Sequence, residues 1–174
     1  TNQYAGIGTA TSCQSCPAGT ISSAGSSSCT ACGMGKYYNS GTCTDCASGT
    51  MAHTTGLVTC SSCPVGKYIH ILGQSSCLNC IAGSYVSTVG RTTTCIPCDA
   101  GKFSSDGAMF CQLCVAGKYS AVGSSSCQDC VAGKYSFGGA ADVCNNCAAG
   151  SFTAATGSIY CTLCSAGTFS NAGA

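Results

Sequence analysis

The stretch Cys114-Val115-Ala116-Gly117-Lys118-Tyr119-Ser120-Ala121-Val122-Gly123-Ser124-Ser125-Ser126-Cys127-Gln128-Asp129-Cys130 decides how the chain is read, because its pattern recurs from one end to the other. Ten Cys-x-x-Cys pairs run through the 174 residues, at 13/16, 29/32, 43/46, 60/63, 77/80, 95/98, 111/114, 127/130, 144/147 and 161/164. Their first cysteines lie 14 to 18 residues apart. Three residues after the second cysteine of every pair stands a glycine: Gly19, Gly35, Gly49, Gly66, Gly83, Gly101, Gly117, Gly133, Gly150 and Gly167. Two residues further comes an aromatic in eight copies (Tyr37, Tyr68, Tyr85, Phe103, Tyr119, Tyr135, Phe152 and Phe169), with Ile21 and Met51 in the other two. A second glycine follows before the next pair, as at Gly25, Gly56, Gly73, Gly107, Gly123 and Gly157. Self-similarity at a fixed period is the signature of a tandem-repeat architecture.

Each repeated position has a physical reading. The first glycine permits a positive φ or a close backbone approach, and so turns the chain into a short strand. The aromatic is the one large side chain that nearly every copy brings. It is expected to pack on the neighbouring disulfide and on the next copy's aromatic, giving a ladder of rings in place of a core. The second glycine, set among Ser and Asn, marks a return turn. Between turns there is room for three to five residues of strand, and no segment carries a helical period. The reading is an elongated rod of about ten tandem hairpin-like units, small and disulfide-rich, with short β-strands and little or no helix.

Composition supports that reading and excludes several function classes. Cysteine supplies 20 of the 174 residues, while Leu, Ile, Val and Phe together number 25 and Trp is absent. That apolar stock is too small for one compact core in a domain of this length. Charged residues make up 6%, against a usual value of about 25%. Six Lys plus Arg and five Asp leave a net charge of +1, without the basic stripe that nucleic-acid binding needs. A charged disordered tail is excluded for the same reason, and no apolar run reaches the length of a membrane span. Twenty cysteines without other core material point to an oxidising, extracellular setting.

A Cys-x-x-Cys pair can bridge internally, but ten such bridges would leave every intervening loop uncrossed. The favoured frame joins the second cysteine of one pair to the first of the next: Cys16–Cys29, Cys32–Cys43, Cys46–Cys60, Cys63–Cys77, Cys80–Cys95, Cys98–Cys111, Cys114–Cys127, Cys130–Cys144 and Cys147–Cys161. Each bond closes a loop worth ~3 kcal/mol in the chain-entropy model. An interlocked frame, with Cys13–Cys29 beside Cys16–Cys32, remains open at this point. The favoured frame leaves Cys13 and Cys164 over, and these are expected to bond outside this window. Residues 1–12 then read as the back half of a repeat, 13–163 as tandem repeats starting at Cys13, Cys29, Cys43, Cys60, Cys77, Cys95, Cys111, Cys127 and Cys144, and 161–174 as the start of another.

The run Cys16-Pro17-Ala18-Gly19-Thr20-Ile21-Ser22-Ser23-Ala24-Gly25-Ser26-Ser27-Ser28-Cys29-Thr30-Ala31-Cys32 resembles the ephrin-receptor-like cysteine-rich repeat, as do Cys114 to Cys130 and Cys130 to Cys147. The Cys-Pro-x-Gly opening is also similar to the first half of tumour necrosis factor receptor modules, where the implied bond closes the loop. The resemblance implies extracellular rods in receptors and in large surface proteins, often as long arrays. The chain departs from that pattern in keeping the post-cysteine proline only at Pro17 and Pro64. It also lacks the longer interrupting loops that carry ligand-binding faces in animal receptors.

Chemistry has little to work with. Paired cysteines are also zinc spacing, and twenty thiolates could hold five Cys₄ ions, but the fixed glycine and aromatic suit a stapled loop better. No βαβ pattern places a redox pair at a helix N-terminus, and the closely spaced triplet of iron–sulfur sites is missing. His53 and His70 occupy different offsets, and the five Asp form no recurring acid–base pair, so no enzyme and no cofactor are expected. Thr42-Cys43-Thr44 and Thr92-Thr93-Thr94 recur at no fixed offset, against a flat ice-matching face.

One charge pattern is regular: Lys36, Lys67, Lys102, Lys118 and Lys134 all directly follow the first glycine. It reads as protection of strand edges ahead of a ligand-binding row. The surface holds 26 Ser and 19 Thr with almost no net charge, a composition that favours association unless it is coated. No Asn-x-Ser/Thr sequon exists, which leaves O-linked sugar on Ser26, Ser27, Ser28, Thr92, Thr93, Thr94, Ser124, Ser125 and Ser126. The expected function is a non-enzymatic extracellular structural segment of a filament, coat or stalk. Its expected partners are further copies or repeats of itself, and glycans. The alternative is part of a receptor or adhesin ectodomain binding a protein or glycan, and metal storage is a third.

Overall fold

The computed structural model describes residues 2–6 and 12–174. Among them there is no helix, and twenty short strands form ten two-stranded sheets, each strand pairing with its neighbour in sequence. The fold is a tandem series of disulfide-stapled hairpins.

In every hairpin after the first, which pairs Gln3–Ala5 with Cys13–Ser15, the outgoing strand starts just after the first glycine, and the return strand contains the x-x dipeptide of the next cysteine pair. Lys118–Tyr119 pairs with Gln128–Asp129, antiparallel, with Lys118 opposite Asp129 and Tyr119 opposite Gln128. Lys102–Phe103 with Gln112–Leu113 and Thr20–Ile21 with Thr30–Ala31 repeat the register. This placement gives a reason why a pair does not close on itself. Side chains three residues apart along extended backbone project to opposite faces, so the two cysteines flanking the dipeptide serve different loops. The disulfides accordingly run Cys16–Cys29, Cys32–Cys43, Cys46–Cys60, Cys63–Cys77, Cys80–Cys95, Cys98–Cys111, Cys114–Cys127, Cys130–Cys144 and Cys147–Cys161.

The shortest loop shows how turn chemistry sets the strand length. Lys36–Asn39 pairs with Thr42–Asp45 and leaves only Ser40 and Gly41 between them. Both have positive φ, 48° and 91°, which a two-residue hairpin turn requires and which Gly41 meets without strain.

The chain divides into two compact units, residues 1–78 with 88–94, and residues 79–87 with 95–174. In the first, the Gly35 and Gly49 N–H groups donate to the carbonyls of Ala52 and Ile69 at 2.9 and 2.8 Å. The second glycines reach back: Gly56 N–H to Cys32, Gly73 to Cys46 and Gly90 to Cys63, at 2.8–2.9 Å. The second unit repeats the scheme with Gly101 to Ser120, Gly117 to Ser136 and Gly133 to Thr153, and with Gly123 to Cys98 and Gly157 to Cys130. Neighbouring hairpins are thus tied backbone to backbone at fixed positions, whatever side chains the copy carries.

The core of each unit is correspondingly thin. It is built mainly from the second cysteines Cys32 to Cys147 and the residue three after the first glycine, with Ser84 and Ser151 beside them. Cys32, Cys46, Cys63, Ala52 and Ile69 are buried in the first unit. In the second these are Cys80, Cys98, Cys114, Cys130, Cys147, Val86, Ser104, Ser120 and Ser136. The buried serines are satisfied: Ser104, Ser120 and Ser136 donate their Oγ–H to the carbonyls of Ser84, Lys102 and Lys118 at 2.9–3.0 Å. A hydroxyl with a fixed acceptor can therefore fill the slot that Ile69 and Val86 fill with carbon.

The expected ladder of aromatic rings is not what the structure builds. The aromatic sits one residue before the buried slot, so strand alternation turns it to the other face. Tyr119 and Tyr135 are half-buried and Phe152 and Phe169 exposed. Tyr119, Tyr135 and Phe152 have polar cross-strand neighbours, and Tyr119, opposite Gln128, donates its phenol hydrogen to Gln128 Oε1 at 2.9 Å, whereas Tyr85 lies opposite Ile96. The one stacked ring pair among the described residues, Tyr68 with His70, lies within a single copy.

The first glycine answers two demands at once. Gly117 has φ +82°, and a Cβ there would overlap the carbonyl oxygen of Gly157, two hairpins further on. Gly123 has φ +73° but open space around it. Gly117→Ala therefore combines left-handed strain with overpacking and is expected to cost about 3 kcal/mol, whereas Gly123→Ala meets strain alone, about 1 kcal/mol. Urea unfolding with the disulfides intact checks this; equal losses would mean that the glycine is required for φ alone.

Candidate functional site

The lysine row becomes a set of local ion pairs once the hairpins form. Register places Lys36 opposite Asp45 and Lys118 opposite Asp129, and their Nζ–Oδ1 distances are 2.6 and 2.7 Å. Lys102 reaches Asp99, three residues earlier, at 2.9 Å. The hydrogen bond to Asp99, and then its charge, hold the Lys102 ammonium above the usual lysine range. Its contribution is present below the ordinary lysine pKa and lost as pH rises through the raised value. Three of the five row positions are thus neutralised within their own hairpins.

Apolar side chains form a second periodic feature, which the composition gives no hint of. In the second unit a shallow open groove is lined by Phe103, Val115 and Lys118. Tyr119, Val131 and Lys134 line the next, and Tyr135, Ala148 and Ser151 a third. Each takes the aromatic of one hairpin and, from the following one, the residue after the second cysteine and the residue after the first glycine. The sequence signal is the apolar residue directly behind that cysteine, and Val115 and Val131 are exposed there.

The hydroxyl clusters are unevenly accessible. Ser27, Ser28, Thr92, Thr93, Thr94, Ser125 and Ser126 are exposed, whereas Ser26 and Ser124 are half-buried. Ser124 Oγ–H is already committed to the Ala121 carbonyl at 2.8 Å. Cys13 is an exposed free thiol and Cys164 a half-buried one. Cys164 still occupies the slot of the other second cysteines, its N–H donating to the Gly150 carbonyl at 2.9 Å. His53 is exposed, and His70 is exposed with its ring stacked on Tyr68. Among the described residues no three His, Cys, Asp or Glu side chains are arranged to hold a metal ion, and no helix is long and apolar enough to cross a membrane.

Residues 49–93 match the family model described as tyrosine-protein kinase ephrin type A/B receptor-like. That segment is ephrin-receptor-like. It takes in the loop closed by Cys63–Cys77 and most of the one closed by Cys80–Cys95, and the tandem disulfide-stapled hairpins on either side are consistent with the same kind of cysteine-rich repeat. No curated protein matches the chain. Ephrin-receptor-like repeats are non-catalytic modules, and together with nine disulfides across ten hairpins they suggest an extracellular domain.

The exposed ion pairs and the buried hydroxyl rungs differ in weight. Lys118→Met should change stability by less than about 1 kcal/mol, because both partners are partly solvated. Ser120→Ala, which deletes a rung between hairpins, should cost about 1 kcal/mol. Paired urea titrations decide it; a larger loss at Lys118 would make the lysine edge structural.

Proposed function

We propose that the chain is a non-enzymatic structural segment outside the cell, part of a surface filament, coat or stalk. The observation that carries this reading is the backbone tie between hairpins, repeated at the first and second glycines with nearly constant length. Such ties do not depend on side-chain identity, so they can be propagated through any number of copies. The cross-links suit a material exposed to oxidants, and little of the side-chain inventory is committed to a cleft. Near-zero net charge and a neutral hydroxylated surface favour lateral association of such stacks. The lysine row supports a receptor reading less well, since three of its members are paired internally.

The accessible acceptors for O-linked sugar are Ser27, Ser28, Thr92, Thr93, Thr94, Ser125 and Ser126, with Ser26 and Ser124 disfavoured by their burial. The two unbonded thiols, Cys13 and Cys164, are assigned to links with further repeats or neighbouring subunits.

Electron microscopy of purified native material tests the reading. Thin regular fibres are expected, while monodisperse monomers at high concentration would contradict assembly. Peptide-level mass spectrometry of the reduced and alkylated chain should place hexose or pentose increments on the exposed set. Sugar confined to Ser26 or Ser124 would contradict the accessibility argument.

A further inference from the structure

Arg91 is the chain's single arginine, and it is under-partnered. It belongs to the first unit, where it forms a parallel bridge with Tyr68, and the Ile69 N–H donates to its carbonyl at 3.1 Å. Bridge partners project to the same side of a sheet, and so do residues two apart on one strand. Tyr68, His70 and Arg91 therefore share a face, with the two rings stacked at 6.0 Å and 22°.

A guanidinium carries five N–H donors. Here Nε is enclosed and has no hydrogen-bond partner, and Nη2 has one long contact, 3.4 Å to the Thr94 carbonyl. Among the described residues no carboxylate lies within 4.0 Å of Arg91, although Lys36, Lys102 and Lys118 each have one. Among the described residues Nη1 has no hydrogen-bond partner either, so both terminal nitrogens keep donors for an incoming acceptor. The enclosed Nε fixes the plane of the fork and leaves the terminal nitrogens to meet an acceptor.

We propose that Arg91, with His70 and Tyr68, is a binding site for an acidic saccharide. The guanidinium takes its carboxylate or sulfate through paired N–H bonds, a geometry that a lysine cannot reproduce. The Tyr68 ring, with His70 stacked on it, offers an aromatic face for the sugar ring. With a net charge of +1 the chain supplies no broad attractive field, so affinity would be local to this cluster. The site is independent of whether the chain assembles into fibres.

Isothermal titration of the full chain with trigalacturonate, a heparin-derived sulfated tetrasaccharide and neutral maltotriose tests the assignment. Binding of the first alone assigns a carboxylate, of the second alone a sulfate, and of both a shared anion site; maltotriose should not bind. Arg91→Gln should lower affinity about tenfold and Arg91→Lys nearly as much, while Lys134→Gln changes it by less than about twofold. Should the Arg91 variants fail to fold, His70→Ala, with an expected loss of about threefold, gives the reading instead. Binding of neither acidic sugar, equal binding of maltotriose, or equal losses from Lys134→Gln and the Arg91 or His70 variant would overturn the site.

Discussion

The second cysteine of each pair bears two duties that ordinary domains divide among many side chains. In every pair but the last its sulfur closes a loop of its own hairpin, and its backbone is gripped from both sides. In the interior copies its N–H donates to the first glycine of the preceding turn, and its carbonyl accepts from the second glycine of a following one, as at Cys98 and Cys130, while at Cys114 the donor is the Ala140 N–H. These cysteines are almost completely buried, while their partners, the first cysteines, stay half-exposed. Cross-linking restricts the unfolded chain by roughly 3 kcal/mol for each loop of this size. Apolar burial adds little beside it, since among the described residues Ile69 and Val86 are the only fully buried side chains larger than cysteine. Remove the sulfur, and most hairpins have two-residue strands and almost no core.

Close stacking is the second consequence. Neighbour-only contact is the usual rule for repeat arrays. Here a Cβ on Gly35 would strike the Gly73 carbonyl, and one on Gly117 the Gly157 carbonyl, so each turn also touches the hairpin two further along. A disturbance at one first glycine is then felt beyond its immediate neighbour, which makes a stack more cooperative than a string of independent beads.

The sequence shows the hairpins plainly. The ten-fold cysteine–glycine offset marks the turn, the strand start and the close approach, and the x-x dipeptide becomes the return strand. The aromatic is where composition misleads. It looks like the core because it is the largest recurrent side chain, yet alternation gives the inward position to the next residue. That slot holds Tyr38, Ala52, Ile69, Val86, Ser104, Ser120, Ser136 and Thr153, a set too mixed in polarity to stand out before the Ser Oγ–carbonyl rungs are seen. Arg91 escapes notice for the opposite reason: it occurs once, and a search by repetition passes over it. Its orphaned Nε is visible only when residues 88–94 lie against Tyr68.

Amide hydrogen exchange with and without a reductant tests the central claim most directly, namely that cystine closure holds these hairpins in register. In the oxidised chain the amides of Cys114, Cys130, Gly117 and Gly133 should be among the slowest to exchange. Reduction should bring them, and the amides of every other hairpin, to the rates of an unfolded chain. Protection that survived reduction would mean that the backbone ties and the thin core suffice alone, and would contradict the account.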